Sequence, residues 1–436
     1  MTNDEASMTN TMQFDTAFQL STSNLRFGAG TTREVGMDLE DMGLARTLLV
    51  IDPKLLDLPT GQTVRESLKA AGRDFAVFSD VEVEPTDRSF HAAIEVAREG
   101  RFDSFVAVGG GSAIDTAKAA NLYSTYPADF LDYVNAPIGR GKPVPGPLKP
   151  LIAIPTTAGT GSETTGVSIF DFLERKAKTG IAHRYLRPTL GIVDPDNTRT
   201  MPSAVAAATG LDVLSHALES YTAIPYDSRP RPERPILRPA YQGTNPISDI
   251  WAIRALEIVA EFLPRAFADQ SDDEARGQML LASSIAGIGF GNAGVHLPHG
   301  MSYPVAGMVR DFRPPGYTTD HAMIPHGMSV ILHTPAVVRF TASANPQRHL
   351  RAAAALGADI AGAPAEAAGQ ILAERVIHFM KVLKMPNGLA AVGYAESDIS
   401  ALVAGTLPQH RVTKLSPRPA GEAELSQLFR ESIKIW

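Results

Sequence analysis

The stretch SFVAVGGGSAIDTAKAAN, residues 104–121, decides the fold class. SFVAV is an apolar run of strand length. It breaks on Gly109, Gly110, Gly111 and Ser112, and a helical pattern follows at once. Glycines there let the backbone approach a pyrophosphate closely. The amino terminus of the following helix offers free N–H groups and the positive end of a dipole. The pattern is not G-x-G-x-x-G, so the usual dinucleotide fingerprint is absent. Taken alone, such a turn is equally a tight strand–helix connection.

Working outward, the same alternation recurs. TLLVID (47–52), DFAVFSD (74–80) and PLIAIPTT (150–157) read as strands, and VRESLKAAG and SFHAAIEVAREG between them read as helices. This order predicts a parallel sheet with helices on both faces. Near-continuous apolar strands suit a sheet covered on both sides. A second polar turn, PTTAGTGSE (155–163), follows its own strand. Thr156, Thr157 and Thr160 there offer hydroxyl donors to phosphate or amide oxygens. Asp52 ends the first of these strands, where an acid hydrogen-bonds ribose hydroxyls and repels a 2′-phosphate, favouring NAD over NADP. Asp52 also reads as a plain turn residue before Pro53.

Beyond about residue 196 the spacing is helical throughout, as in SAVAAATGLDVLSHALESYT, ISDIWAIRALEIVAEFL and EARGQMLLASSIAGIGF. The expected organisation is an α/β dinucleotide-binding domain over 1–195 and an all-helical metal and substrate domain over 196–436. Ligands in such folds sit at the carboxyl ends of the strands, here in the cleft against the helical half.

Composition narrows the function classes. A chain of 436 residues exceeds one ordinary core. A net charge of −7 argues against a general nucleic-acid binder. The absence of cysteine excludes disulfides, thiolate metal sites and thiol nucleophiles. No run reaches the roughly 18 apolar residues of a spanning helix, so no membrane partner is expected. The opening residues MTNDEASMTNTMQ carry Asp4 and Glu5, without a basic start or an Arg-rich amphipathic pattern. They read as a frayed tail, and a cytoplasmic location is expected.

GLDVLSHALES (210–220) places Asp212 and His216 four apart on one helical face. GVHLPHGMSYP (294–304) adds His296, His299 and Tyr303, and IPHGMS (324–329) adds His326. Asp212, His216, His299 and His326 supply three imidazoles and one carboxylate, a set that suits a divalent transition metal with a position open to substrate. Spacing alone does not make them converge, and a buried histidine is commonly a hydrogen-bonded core residue. The Pro-rich segment 224–245 carries Arg229, Arg231, Arg234 and Arg238 against Asp227 and Glu233. Arginine grips carboxylates bidentately, which makes Arg234 and Arg238 candidates for an acidic substrate. The same segment reads equally as an exposed loop.

GGGSAIDTAK, PTTAGTGSE, GLDVLSHALES, HGMSYP and IPHG, in that order and over nearly the whole chain, resemble the iron-containing (group III) alcohol dehydrogenase family. The resemblance implies an α/β nucleotide domain facing a helical metal domain, an architecture shared with dehydroquinate synthase. It places Asp212, His216, His299 and His326 on the ligands of Fe2+, although Zn2+ suits the same donors. It places Gly109, Gly110, Gly111 and Ser112 on the pyrophosphate turn, and Asp115, Thr156, Thr157, Thr160 and Lys178 on or beside other NAD contacts. Many members carry a second histidine one turn after the third ligand, where this chain has Tyr303. Tyr303 therefore becomes a catalytic candidate that orients substrate or passes a proton, with His296 a second such candidate.

Longer segments, among them KPLIAIPTTAGTGSETTGVSIFD, RPAYQGTNPISDIWAI, GIGFGNAGVHLPHGMSYP and GTLPQHRVTKLSP, are similar to the hydroxyacid–oxoacid transhydrogenase branch of that family. This implies hydride transfer from 4-hydroxybutyrate to 2-oxoglutarate through a bound NAD, giving succinate semialdehyde and 2-hydroxyglutarate. It implies a small hydroxy acid and oxo acid as partners, and a homodimer. Three alternatives stay open on the sequence. One is an NAD-dependent alcohol dehydrogenase of the family with a freely exchanging cofactor. The others are a lyase or synthase on the same architecture and a non-catalytic subunit.

Overall fold

The computed structural model describes residues 13–175, 177–317, 319 and 321–436. Nearly all of the expected frayed tail lies outside the described residues.

The first half is built on β1 (Asn24–Phe27), β2 (Arg46–Ile51), β3 (Asp74–Phe78), β4 (Ser104–Gly109), β5 (Leu151–Pro155), β6 (Val167–Phe172), β7 (Ala177–Ala182) and β8 (Leu190–Val193). Six of these form one sheet in the order β1-β8-β5-β4-β2-β3, with every pairing parallel. β4 lies mid-sheet, pairing Ala107 with Val50 on one side and with Ala153 on the other. All six residues of β4 and all five of β5 are buried, as expected of strands covered on both faces. The connecting helices are α1 (Val35–Asp41), α2 (Pro59–Ala70), α3 (Asp87–Gly100) and α4 (Gly111–Thr125), followed by the single turn α5 (Phe130–Tyr133).

β6 and β7 form an antiparallel hairpin apart from the main sheet. Sequence reading misses it because its turn, Leu173–Arg175, carries Glu174 and Arg175 in place of the Gly or Asn that marks tight hairpins. The omission matters, since β7 carries Lys178.

The second half is helical. Its central members are α6 (Ser203–Thr222), α7 (Pro246–Ala268), α8 (Asp273–Ala293), α9 (Leu297–Gly307) and α10 (His326–Ile331). Local chemistry sets the starts of two of them. The Asn245 side chain accepts from the Ser248 N–H at 3.0 Å, and Pro246 fixes the first helical φ of α7. Asp272 caps α8 through the Ala275 N–H at 2.9 Å, and Asp273 and Glu274 complement the helix dipole. α6 is almost wholly buried, packed with α7 and α8 around Leu211, Leu214, Leu218, Leu256, Val259 and Leu280. No described helix is by itself long and apolar enough to cross a membrane.

The turn after β5 joins the halves. Its threonines read as donors to a cofactor, and its glycines permit close approach to the helices. A Cβ on Gly159 would meet Thr209 of α6 at 2.7 Å. A Cβ on Gly161, whose φ is +57°, would meet the Gly287 Cα and the Ser283 carbonyl oxygen of α8 at 2.8 Å. The Gly161 N–H donates to Ser283 Oγ at 3.2 Å, and Ser284 Oγ donates to Glu163 Oε1 at 2.6 Å. Gly161→Ala therefore adds a backbone clash between the halves to the strain of a left-handed residue. Gly43→Ala, at φ +69° with nothing within 4 Å, adds only the strain. In denaturant titrations Gly161→Ala is expected to cost about 1–3 kcal/mol more than Gly43→Ala; equal costs would contradict the contact.

Candidate active site

Asp212, His216 and Glu219 share one buried face of α6. His299 reaches them from α9 and His326 from the start of α10. Asp212 Oδ1 stands 3.8 Å from His216 Nε2, 3.6 Å from His299 Nε2 and 3.8 Å from His326 Nε2. One donor atom from each of the four lies within 4.8 Å of all the others. Donors bound about 2.1 Å from one tetrahedral ion stand roughly 3.4 Å apart. These spacings are slightly too long for hydrogen bonds and close to those of a shared cation. Asp212 Oδ1 and His299 Nε2 are sealed from solvent with no hydrogen-bond partner, a costly condition that a metal ion relieves. The donor set fits a divalent cation.

The charge balance agrees. Burial pushes the Asp212 carboxyl up, but His216, His326 and His299 outweigh it and hold it well below the usual carboxylate range. Burial lowers His299, yet Glu219 and Asp212 bring it up to about 10. Burial lowers His216 to about 4 and lowers His326, which keeps both imidazoles neutral, and a bound cation takes the place of the second proton on His299.

Four contacts orient the donors. Glu219 Oε1 sits 2.6 Å from His299 Nδ1, which places the proton on Nδ1 and the Nε2 lone pair toward Asp212. The other oxygen, Oε2, accepts from the backbone N–H of His296 at 2.6 Å and of His299 at 3.4 Å. The His216 ring is stacked on Phe290 with centroids 3.9 Å apart. Each of His299 and His326 is followed by a glycine for a packing reason. A Cβ on Gly327 would meet the Ala208 carbonyl oxygen of α6 at 2.0 Å, and one on Gly300 would meet Thr413 at 2.6 Å.

The nucleotide candidates gather at the carboxyl ends of β2, β4 and β5. Gly109 has φ +148°, and a Cβ there would lie 3.4 Å from that of Asp52. The Asp52 carboxylate accepts from the Lys54 N–H at 2.9 Å. Cβ atoms on Gly110 and Gly111 would reach Thr157 Oγ1 at 2.9 Å and Thr160 Cγ2 at 2.7 Å, so the two glycine turns abut. Thr156 donates its N–H to the Gly109 carbonyl at 3.0 Å. Ser112 Oγ accepts from the Glu84 N–H at 3.3 Å.

Two nucleotide candidates are engaged inside the protein. Asp115 accepts from Ser162 Oγ at 2.5 Å and from the Ile169 N–H at 2.9 Å, with Lys118 Nζ at 3.4 Å. It braces α4 against β6 and the second turn. Lys178 is 1% exposed and pairs with Glu84 at 2.6 Å and Asp171 at 3.1 Å. Burial lowers its pKa, but the two carboxylates raise it above the usual lysine value, so it is charged.

Tyr303 is buried on α9, its ring 6.5 Å from that of His326. Its hydroxyl accepts from Arg411 Nη2 at 3.2 Å. His296 precedes α9, and its Nε2 lies 3.0 Å from Thr222 Oγ1. These contacts tie His296 to α6 and Glu219. Arg238 has a partner of its own, Asp15, at 3.0 and 3.1 Å. Arg229 joins the same carboxylate at 2.7 Å, and Arg234 is exposed. The Pro-rich segment thus pins the chain around Asp15, in place of the free substrate cations expected of it. Sequence reading missed Glu219, although it stands seven residues after Asp212 on the same helical face, and it missed Arg411.

Residues 22–195 match the family model described as iron-containing alcohol dehydrogenase, and residues 240–433 match the C-terminal model of the Fe-containing alcohol dehydrogenase family. The chain belongs to the iron-containing alcohol dehydrogenase family. Among its relatives, the mitochondrial hydroxyacid-oxoacid transhydrogenase of Bos taurus is 58% identical over 424 residues, covering 97% of this chain and 91% of that protein. A probable mitochondrial hydroxyacid-oxoacid transhydrogenase of Dictyostelium discoideum is 53% identical over 443 residues, covering 98% and 81%. Among solved structures, a 1,3-propanediol oxidoreductase superposes with a TM-score of 0.83 at 28% identity, covering 95% of this chain and 100% of that one. Sulfoacetaldehyde reductase from Bifidobacterium kashiwanohense in complex with NAD+ gives a TM-score of 0.78 at 27% identity, covering 97% and 100%.

The relatives correct the cytoplasmic expectation, since they are mitochondrial proteins. The acidic start was weak ground for it: import machinery reads an address, and the composition of a folded catalytic chain does not encode one.

Glu219→Gln keeps the volume but removes the charge that three donors share. Metal affinity is expected to fall about 10–100-fold with the fold retained. Competitive chelator titration checks this, and an unchanged affinity would reject the orienting role of Glu219.

Proposed function

We propose that the protein is a hydroxyacid–oxoacid transhydrogenase that moves a hydride from 4-hydroxybutyrate to 2-oxoglutarate, yielding succinate semialdehyde and 2-hydroxyglutarate. The observation that carries this reading is near-full-length identity of 58% to a hydroxyacid-oxoacid transhydrogenase. The cluster of buried Asp212, His216 and His299 with half-buried His326 supports it. When bound, a divalent metal, here iron, lowers the pKa of a substrate hydroxyl, and NAD supplies a reversible hydride acceptor.

The chain's own residues do the rest. Asp212, His216, His299 and His326 hold the metal. Glu219 fixes the His299 tautomer, and His296 positions Glu219 through its backbone N–H. Gly109, Gly110, Gly111 and Ser112 at the amino end of α4 cradle the pyrophosphate, with Thr156, Thr157 and Thr160 beside them. Asp52 takes ribose hydroxyls, and Lys178 stands on β7 with its charge held between Glu84 and Asp171. Asp115 acts through the second turn, which it braces. Tyr303, between His326 and Arg411, positions the substrate. The reading includes a homodimer, supported by edge strand β1, which leaves Phe27 46% exposed.

The overall exchange balances without outside oxidant: one hydride and one proton leave the alcohol, and the same pair reduces the ketone. Bound nucleotide therefore serves as a relay, and the kinetics should be ping-pong. Purified protein given both acids and no added NAD is expected to form 2-hydroxyglutarate while absorbance at the NADH band stays constant. Strict dependence on added NAD would overturn the relay and leave a dehydrogenase with exchanging cofactor.

A further inference from the structure

Arg411 lies in the short helix His410–Thr413, inside the GTLPQHRVTKLSP stretch. Its surroundings are unusual for a cation. Nη2 donates to the Tyr303 hydroxyl at 3.2 Å, and the guanidinium carbon stands 5.0 Å from the centre of the Tyr241 ring. Both neighbours are phenols. Nη1 is sealed from solvent and has no hydrogen-bond partner among the described residues. Arg229 and Arg276 also keep a buried nitrogen without a partner, but each closes on strong acceptors: Arg229 on the Asp15 carboxylate, and Arg276 on the carbonyls of Thr198 and Met201. A shielded guanidinium with an idle N–H and no carboxylate partner is costly, unless a ligand provides the anion.

The place for that anion is beside it. Arg411, Tyr303, Gln409, Thr179 and Asn135 line one small cavity. Asn135 Nδ2 is likewise buried without a partner. Two residues that line this cavity therefore each hold a buried donor without an acceptor. Thr179 follows Lys178 on β7, and Tyr303 spans from Arg411 to the ligand His326. The cavity thus adjoins the metal cluster through one aromatic ring.

We propose that Arg411, with Asn135 beside it, binds the substrate carboxylate remote from the reacting carbon. The inference rests on the function proposed above and supplies its specificity. In 4-hydroxybutyrate the carboxyl carbon lies three carbon–carbon bonds from the carbinol carbon. In 2-oxoglutarate the distal carboxyl carbon lies three bonds from the keto carbon. One fixed cation therefore serves both half-reactions, and the donor and acceptor occupy the same place in turn. Tyr303, held by Arg411, is set against the chain between the two ends. Neutral alcohols lack the anchor.

The test compares kcat/KM for the acid pair with that for butan-1-ol and butanal in wild type, Arg411→Leu and Arg411→Lys. Arg411→Leu is expected to lose on the order of 100-fold with both acids, mainly in KM, so that the acid-to-neutral ratio collapses. Arg411→Lys, which keeps the charge but loses the fork, should restore part of that ratio. Equal losses on acid and neutral pairs, or no loss on the acids, would overturn the proposal. Calorimetric binding of 4-hydroxybutyrate without turnover separates the two claims. If wild type binds the acid and Arg411→Leu does not, while neither transfers hydride between the acids, the carboxylate site stands and the proposed function falls. If both bind it equally, the carboxylate site falls.

Discussion

A carboxylate inside a ring of imidazoles is the constraint on which the structure depends. Asp212 is buried in the middle of the helical half, with three histidine nitrogens 3.6–3.8 Å from it. Such groups, three buried and His326 half-buried, repay their desolvation only through a shared positive charge. Several features of the surrounding fold serve that convergence. α6 supplies two donors on one face and, a turn later, Glu219, which aims the third. Gly327 lets α10 lie against α6 closely enough to bring in the fourth.

The same logic couples the two halves. The turn after β5 touches α6 through Gly159 and α8 through Gly161, while its threonines meet the glycine turn of β4. One short loop is therefore packed against both the nucleotide candidates and the helices that carry Asp212 and His216. A cofactor held at the strand ends is fixed relative to the metal by backbone contacts, with little freedom to drift. Lys118 and Asp115, buried together beneath this loop, strengthen the brace.

Much of this was legible in the sequence. Strand–glycine–helix punctuation gave the parallel sheet, and helical spacing gave the second half. The residues of the metal cluster stood in short, distinctive contexts, Asp-x-x-x-His and two His-Gly pairs. The unread parts depend on partners remote in the chain. Arg238 looked like a free cation until Asp15, 223 residues away, was seen to close on it. Arg411 drew no reading from the sequence, because only the fold shows that its neighbours are phenols. The β6–β7 hairpin escaped because its charged turn lacks the usual glycine or asparagine. Glu219 was within reach, since its i+7 position is visible in GLDVLSHALES, but a buried glutamate has no meaning until the imidazole it faces is known.

Anomalous diffraction at the iron and zinc absorption edges, on crystals of anaerobically purified protein, tests the central claim most directly. The account predicts a single peak per chain, about 2.0–2.2 Å from Asp212 Oδ1 and from Nε2 of His216, His299 and His326. A peak bound elsewhere, or full activity in crystals with no peak at this cluster, would contradict it.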